Sequence, residues 1–173
     1  TYDENKVIGF SESGLKKVET QKELVLPHIN PNDGSTVIDT VADNNEGNSF
    51  RSRALTSVSD YARNIKVVEG EGANWISGYR SQGAFKGNSI STIDLKNVEH
   101  IGSYAFQNNK ITELKLEKLK YIGHHAFQGN QIEKIEATDL PKVEYVGQLG
   151  FVDNKLTKVH MPKPVSYTHL TLP

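Results

Sequence analysis

Apolar residues recur along this chain in a pattern that no helical period describes. From Ala105 to Gly123 they stand at Phe106, Ile111, Leu114, Leu116, Leu119 and Ile122; from Ala126 they stand at Phe127, Ile132, Ile135, Ala137, Leu140, Val143 and Val146. The alternation Leu114-Lys115-Leu116, matched by Ile93-Asp94-Leu95 and Ile135-Glu136-Ala137, predicts a short half-buried strand in each unit. A second extended piece ends each unit at Ile101-Gly102, Ile122-Gly123 and Val146-Gly147, where glycine suits a corner or a close backbone approach. The Ala-Phe segment that follows predicts a single helical turn or tight loop anchored by its phenylalanine.

The units keep one register. Phenylalanines fall at positions 85, 106, 127 and 151, separated by 21, 21 and 24 residues, a spacing that points to stacked repeats. An asparagine follows each by three residues, at Asn88, Asn109, Asn130 and Asn154. Stacked asparagine amides can satisfy backbone groups that a turn would otherwise leave unpaired. The alternative is a turn asparagine that merely tolerates left-handed geometry. A unit this short cannot bury its apolar face alone, so neighbours must share a core.

The pattern Ile-Gly-x-x-Ala-Phe-x-x-Asn-x-Ile-x-x-Leu-x-Leu, as it stands from Ile101 to Leu116, resembles the BspA-type leucine-rich repeat of bacterial surface proteins. The likeness is strong from about Ala84 to Pro162. It implies a right-handed leucine-rich-repeat solenoid of mainly short parallel β-strands with tight turns and short helical turns. It also implies a non-catalytic extracellular binding or adhesion module of a larger bacterial cell-surface protein, attached to the cell wall through other regions. Its partner would be a host or bacterial surface protein or a glycan. The alternative is a structural spacer that carries another domain, one that could be an enzyme.

Four regions follow. Residues 1–58 are read as divergent N-terminal repeats, because Phe10, Leu15 and Val18, and again Phe50, Leu55 and Val58, keep the spacing of Phe106, Ile111 and Leu114. Residues 59–83 form an insert that carries Trp75, Tyr79 and Arg80, residue types enriched in binding hot spots. Residues 84–162 hold the regular repeats. The tail 163–173 resembles a translated sequencing-library adapter, breaks the register and is expected to pack poorly; the solenoid would then lack its C-terminal cap and expose an apolar edge at Leu156, Val159 and Met161.

Charge narrows the partners. A net charge of −1 argues against a nucleic-acid partner held by phosphate neutralisation. No apolar run approaches a membrane span, so direct membrane insertion is not expected. The chain has no cysteine, which excludes disulfides and thiolate metal sites but decides no compartment.

Candidate chemistry is sparse. His28, His100, His124, His125, His160 and His169 show no metal-site spacing, and His124 and His125 occupy corner positions held elsewhere by Ser103-Tyr104 and Gln148-Leu149. Neither metal nor cofactor is expected. A hydrolase in the insert would have to draw on Asp60, Glu69 and Glu71. The outward strand positions say more. They form two columns, Thr92, Glu113, Lys134, Lys158 and Asp94, Lys115, Glu136, His160. The second alternates in sign and is expected to act as a charge ladder. Both columns together are the candidate recognition strip for a protein or glycan.

Overall fold

The computed structural model describes residues 1–42, 49–70, 83–162 and the backbone of 166–167. Among them the chain forms one helix, α1 (Glu12–Val18), and short strands. One sheet has eight strands in the order β1 (Tyr2–Asp3), β2 (Lys6–Val7), β4 (Thr40–Val41), β6 (Val67–Val68), β8 (His100–Ile101), β9 (Tyr121–Ile122), β11 (Tyr145–Val146) and β13 (Ser166–Tyr167). All its pairings are parallel except the hairpin β1–β2. A second set of parallel strands comprises β3 (Glu23–Val25), β5 (Ser57–Ser59) and β7 (Thr92–Asp94), and a third pairs β10 (Lys134–Ile135) with β12 (Lys158–Val159).

One core joins them. The Phe85, Phe106, Phe127 and Phe151 rings lie in a continuous stacked file, with centroid separations of 5.2, 5.6 and 5.5 Å. Phe50 extends the file at 5.7 Å, and Phe10 meets Phe50 edge-on at 4.9 Å. Ile101, Ile122 and Val146 fill the inward positions of the eight-stranded sheet, while Leu95, Leu116 and Ile135 fill the opposing ones. Each phenylalanine sits in a hydrogen-bonded turn, as Gln107 N–H donates to Tyr104 O at 3.0 Å. The expected helical turn is thus a tight turn in the regular repeats. A true helix appears only at α1, where Ser11 caps Gly14 N–H and Lys16 and Lys17 complement the helix dipole.

The asparagines distinguish the two readings of their role. Asn130 Nδ2 donates to Phe106 O and Phe127 O, both at 2.9 Å, and its Oδ1 accepts from Ile111 N at 3.0 Å. Asn88, Asn109 and Asn154 repeat the arrangement. Left-handed backbone falls one residue earlier, at Gly87, Asn108, Gly129 and Asp153. The recurring asparagine therefore bridges repeats, and its neighbour takes the turn.

Three expectations need correction. The strand read from the alternation at 114–116 does not form: Leu114 and Leu116 are buried, but no strand includes them. Lys110 N donates to Ile90 O and Gln131 N to Ile111 O, each at 2.9 Å, after which Leu116 N turns away to Asp139 O at 2.9 Å. The ladder therefore lapses between β7 and β10. The apolar edge is also less open than expected, because Leu156 and Met161 are buried in the core and Val159 is half-buried. Finally, the tail keeps register at two residues, since Ser166 and Tyr167 pair with Tyr145 and Val146 in β11.

Candidate functional site

The strand positions that the pattern marks as outward do face solvent. Thr92, Glu113, Lys134 and Lys158 are exposed, as are Lys115 and His160, while Asp94 and Glu136 are half-buried. Register brings Thr92 beside Ser57 and Lys134 beside Lys158. It also adds residues that the sequence reading missed: Glu23 and Ser57 extend the first column, and Val25 and Ser59 extend the second. Val25 is an exposed apolar side chain in that line. Trp75, Tyr79 and Arg80 lie outside the described residues.

A groove of about 280 Å³ opens where the strand ladder lapses. Ser91, Thr92, Ile93, Thr112, Glu113 and Lys115 line it. Residues 112–115 belong to no strand; Thr112, Glu113 and Lys115 line the groove together with Thr92 and Ile93 of β7, while Leu114 is buried in the core. Hydroxyls and both signs of charge thus meet in one concave patch.

The second column is not the ion-pair ladder its alternating signs suggested. Asp94 accepts from Arg63 at 2.6 Å, Glu136 from Lys158 at 3.0 Å, and Lys115 lies 3.8 Å from Glu113 in its own repeat. Lys158 stands opposite Lys134, where like charges repel, and reaching diagonally to Glu136 relieves that repulsion. The Lys158 hydrogen bond is the main cause holding the Glu136 carboxyl below the usual carboxylate range. With residues 113–115 outside any strand, Lys115 has no paired position facing Asp94.

An alternating file does exist, on the eight-stranded sheet. Lys66, Glu99, Lys120 and Glu144 precede β6, β8, β9 and β11, and each N–H after the first donates to the carbonyl of the one before at 2.7–2.9 Å. Lys120 Nζ meets Glu99 Oε2 at 2.6 Å, which raises the lysine and lowers the glutamate relative to their ordinary values. Beside this file, His100, Tyr121 and Tyr145 stack at 5.9 and 4.8 Å. The signal available in sequence was an aromatic residue directly before each Ile-Gly or Val-Gly pair at 121 and 145.

The corner histidines serve separate structural partners. His124 Nδ1 accepts from Gln148 N at 3.0 Å, and burial, then the nearby His125, pushes its pKa down. His125 Nδ1 lies 2.8 Å from Gln128 Oε1, with its ring stacked on Tyr104 at 4.9 Å. The acids proposed for a hydrolase are likewise committed elsewhere. Asp60 is fully buried and accepts from Ile65 N at 2.8 Å, and Glu69 pairs with Lys6 at 2.8 Å. Glu71 lies outside the described residues.

The family model for the BspA type leucine rich repeat region matches residues 79–170, in six copies. The chain belongs to this family. BspA-type repeats are found in bacterial surface proteins and are typically non-catalytic binding modules. The matched span extends through most of the adapter-like tail and includes β13. No curated protein and no solved structure matches the chain. Among the described residues, no helix of this BspA-type chain is long and apolar enough to cross a membrane.

Proposed function

We propose that the chain is a right-handed solenoid that acts as a non-catalytic binding or adhesion module outside the bacterial cell, attached to the wall through other parts of a larger protein. Its partner is a surface protein or glycan of a host or of a neighbouring bacterium. The observation that carries this reading is the groove between Thr92 and Lys115, set in the exposed columns Thr92, Glu113, Lys134, Lys158 and Asp94, Lys115, Glu136, His160. Inward positions repeat Phe, Ile and Leu to make the core, while these outward positions change from repeat to repeat. A surface that varies on a constant scaffold is what recognition by a repeat protein uses. Trp75, Tyr79 and Arg80 are proposed to extend it.

A spacer is the second reading. The pairs Arg63–Asp94 and Lys158–Glu136 favour it, because they engage outward charges within the chain. Replacing Thr92, Glu113 and Lys115 together by alanine separates the two. A binding module loses retention on arrayed glycans and immobilised host surface proteins with an unchanged thermal midpoint. A spacer shows retention that the substitution leaves unaltered.

A further inference from the structure

The charged file on the eight-stranded sheet has a symmetry that the recognition groove lacks. Along the stack it reads Lys66, Glu99, Lys120, Glu144, with Lys66 and Glu144 exposed and the central pair half-buried. Toward the N-terminus the next member is Asp39, already engaged by Asn5 at 2.7 Å and Thr40 at 2.8 Å. Beside the four charges run Val67, His100, Tyr121 and Tyr145. His100 is exposed and the other three are half-buried. Tyrosine is enriched where proteins meet one another, and charges of complementary sign fix the register of such a contact.

A four-member file of alternating sign is complementary to itself when reversed. Place a second copy face to face and antiparallel, with the two-fold axis between Glu99 and Lys120. Lys66 then faces the second copy's Glu144, and Glu99 faces its Lys120; the remaining two contacts follow by symmetry. Every facing pair is opposite in sign. A parallel arrangement would instead set Lys on Lys and Glu on Glu. Both copies have the same strand spacing, about 4.8 Å, so the register holds along the file. The same operation sets Tyr121 against the second copy's His100, near the axis, where hot-spot contacts concentrate. A two-fold contact of this kind is isologous and closes on itself.

We infer that the file Lys66-Glu99-Lys120-Glu144, with His100, Tyr121 and Tyr145 beside it, is a homotypic contact through which two copies of this chain associate antiparallel. The contact leaves the groove at Thr92 and Lys115 free, since that groove belongs to a different set of strands. Partner binding and self-association are therefore separable functions.

The test uses the full chain and sedimentation equilibrium at low salt. The unsubstituted chain forms a dimer that weakens as salt is added, because exposed charges are screened. K120E sets a carboxylate against Glu99 at both symmetry-related positions and weakens the dimer at least about tenfold. E99K does the same with two lysines. Mixed in equal amounts, the two single variants form a heterodimer, because one carries a carboxylate at both central positions and the other an ammonium group at both. The rescue requires two folded chains, so loss of structure cannot imitate it. A wild-type chain that stays monomeric at every concentration overturns the inference. So does a mixture that fails to pair, or a K120E dimer as tight as wild type, the result expected if copies join end to end through the last repeat.

Discussion

The side-chain amide of Asn109 donates to the Phe85 carbonyl of the preceding repeat at 3.0 Å. The same nitrogen reaches Phe106 O at 3.1 Å, and the amide oxygen accepts Ile90 N–H at 3.0 Å. One buried residue thus satisfies three backbone groups on two repeats. Asn109→Ala orphans the buried Ile90 N–H, whereas Phe85 O keeps Asn88 Nδ2 and Phe106 O keeps Asn130 Nδ2, so the expected loss is about 1–3 kcal/mol. Asn109→Asp is no rescue, because a carboxylate cannot donate to the two carbonyls. Urea unfolding measures both; a loss below about 1 kcal/mol for the alanine variant would show that the bridge is dispensable.

Gly123 is fixed by what lies against it. A Cβ there would stand 2.4 Å from Ser103 N and 2.6 Å from Gly102 C, backbone atoms of the preceding repeat that no rotamer change can move. Gly123→Ala must therefore push two repeats apart and stretch the Gly123 N–H to Ile101 O bond, now 2.8 Å. Overpacking of this kind costs about 1–3 kcal/mol. Amide exchange at Gly123 and at its neighbours in β9 should quicken, whereas Gly34→Ala, with nothing within 4 Å of the added carbon, should leave those amides alone. Unchanged protection in Gly123→Ala would mean the repeats are not packed this closely.

What sequence reveals here is what repeats. Phe85, Phe106, Phe127 and Phe151 fall into one stacked file because a fixed step places identical side chains at identical depth. The asparagines and the glycine corners were legible for the same reason. The lapse at 112–115 was not, since Leu114-Lys115-Leu116 alternates as its neighbours do and only the placement of whole repeats decides which peptide groups meet. The charge file escaped notice through its spacing: Lys66 and Glu99 are 33 residues apart, with most of the insert between them. Conversely, Asp94 and Lys115 look like ladder partners, yet Arg63, from the start of that insert, takes Asp94. At α1, Ser11 and Glu12 carry an ordinary helix start, which the spacing of a divergent repeat around Phe10 masks.

Asp33 makes part of the acid response local. Hydrogen bonds from the Thr36 side chain and N–H, and from Ser35 N–H, hold its carboxyl at about 2, against 3.8 for the free group. Its pKa is lower folded than unfolded, so its contribution is complete above pH 3.8 and is lost as pH falls from 3.8 toward 2. The Ser35 and Thr36 amide resonances should shift through that window as the turn loses its acceptor. In Asp33→Asn the Thr36 amide should hold still over the same range. If both proteins titrate alike there, another carboxylate controls the turn.

Asp60 occupies an inward position in line with Leu95 and Leu116, a place where the regular repeats put an apolar residue. Register fixes this, since Ser59 pairs with Asp94. The carboxylate is fully buried; Oδ2 accepts from Ile65 N at 2.8 Å, while Oδ1 has no partner among the described residues. Half of this side chain is therefore needed and half is a burden. Asp60→Asn keeps an acceptor for Ile65 N–H and removes the charge, so stability should change by less than about 1 kcal/mol or rise. Asp60→Ala orphans the Ile65 N–H in the core and should cost roughly 1–3 kcal/mol. The difference between the two variants isolates the hydrogen bond. Equal losses would mean that the acid is held for its charge, and would reopen the insert as a place where that charge is used.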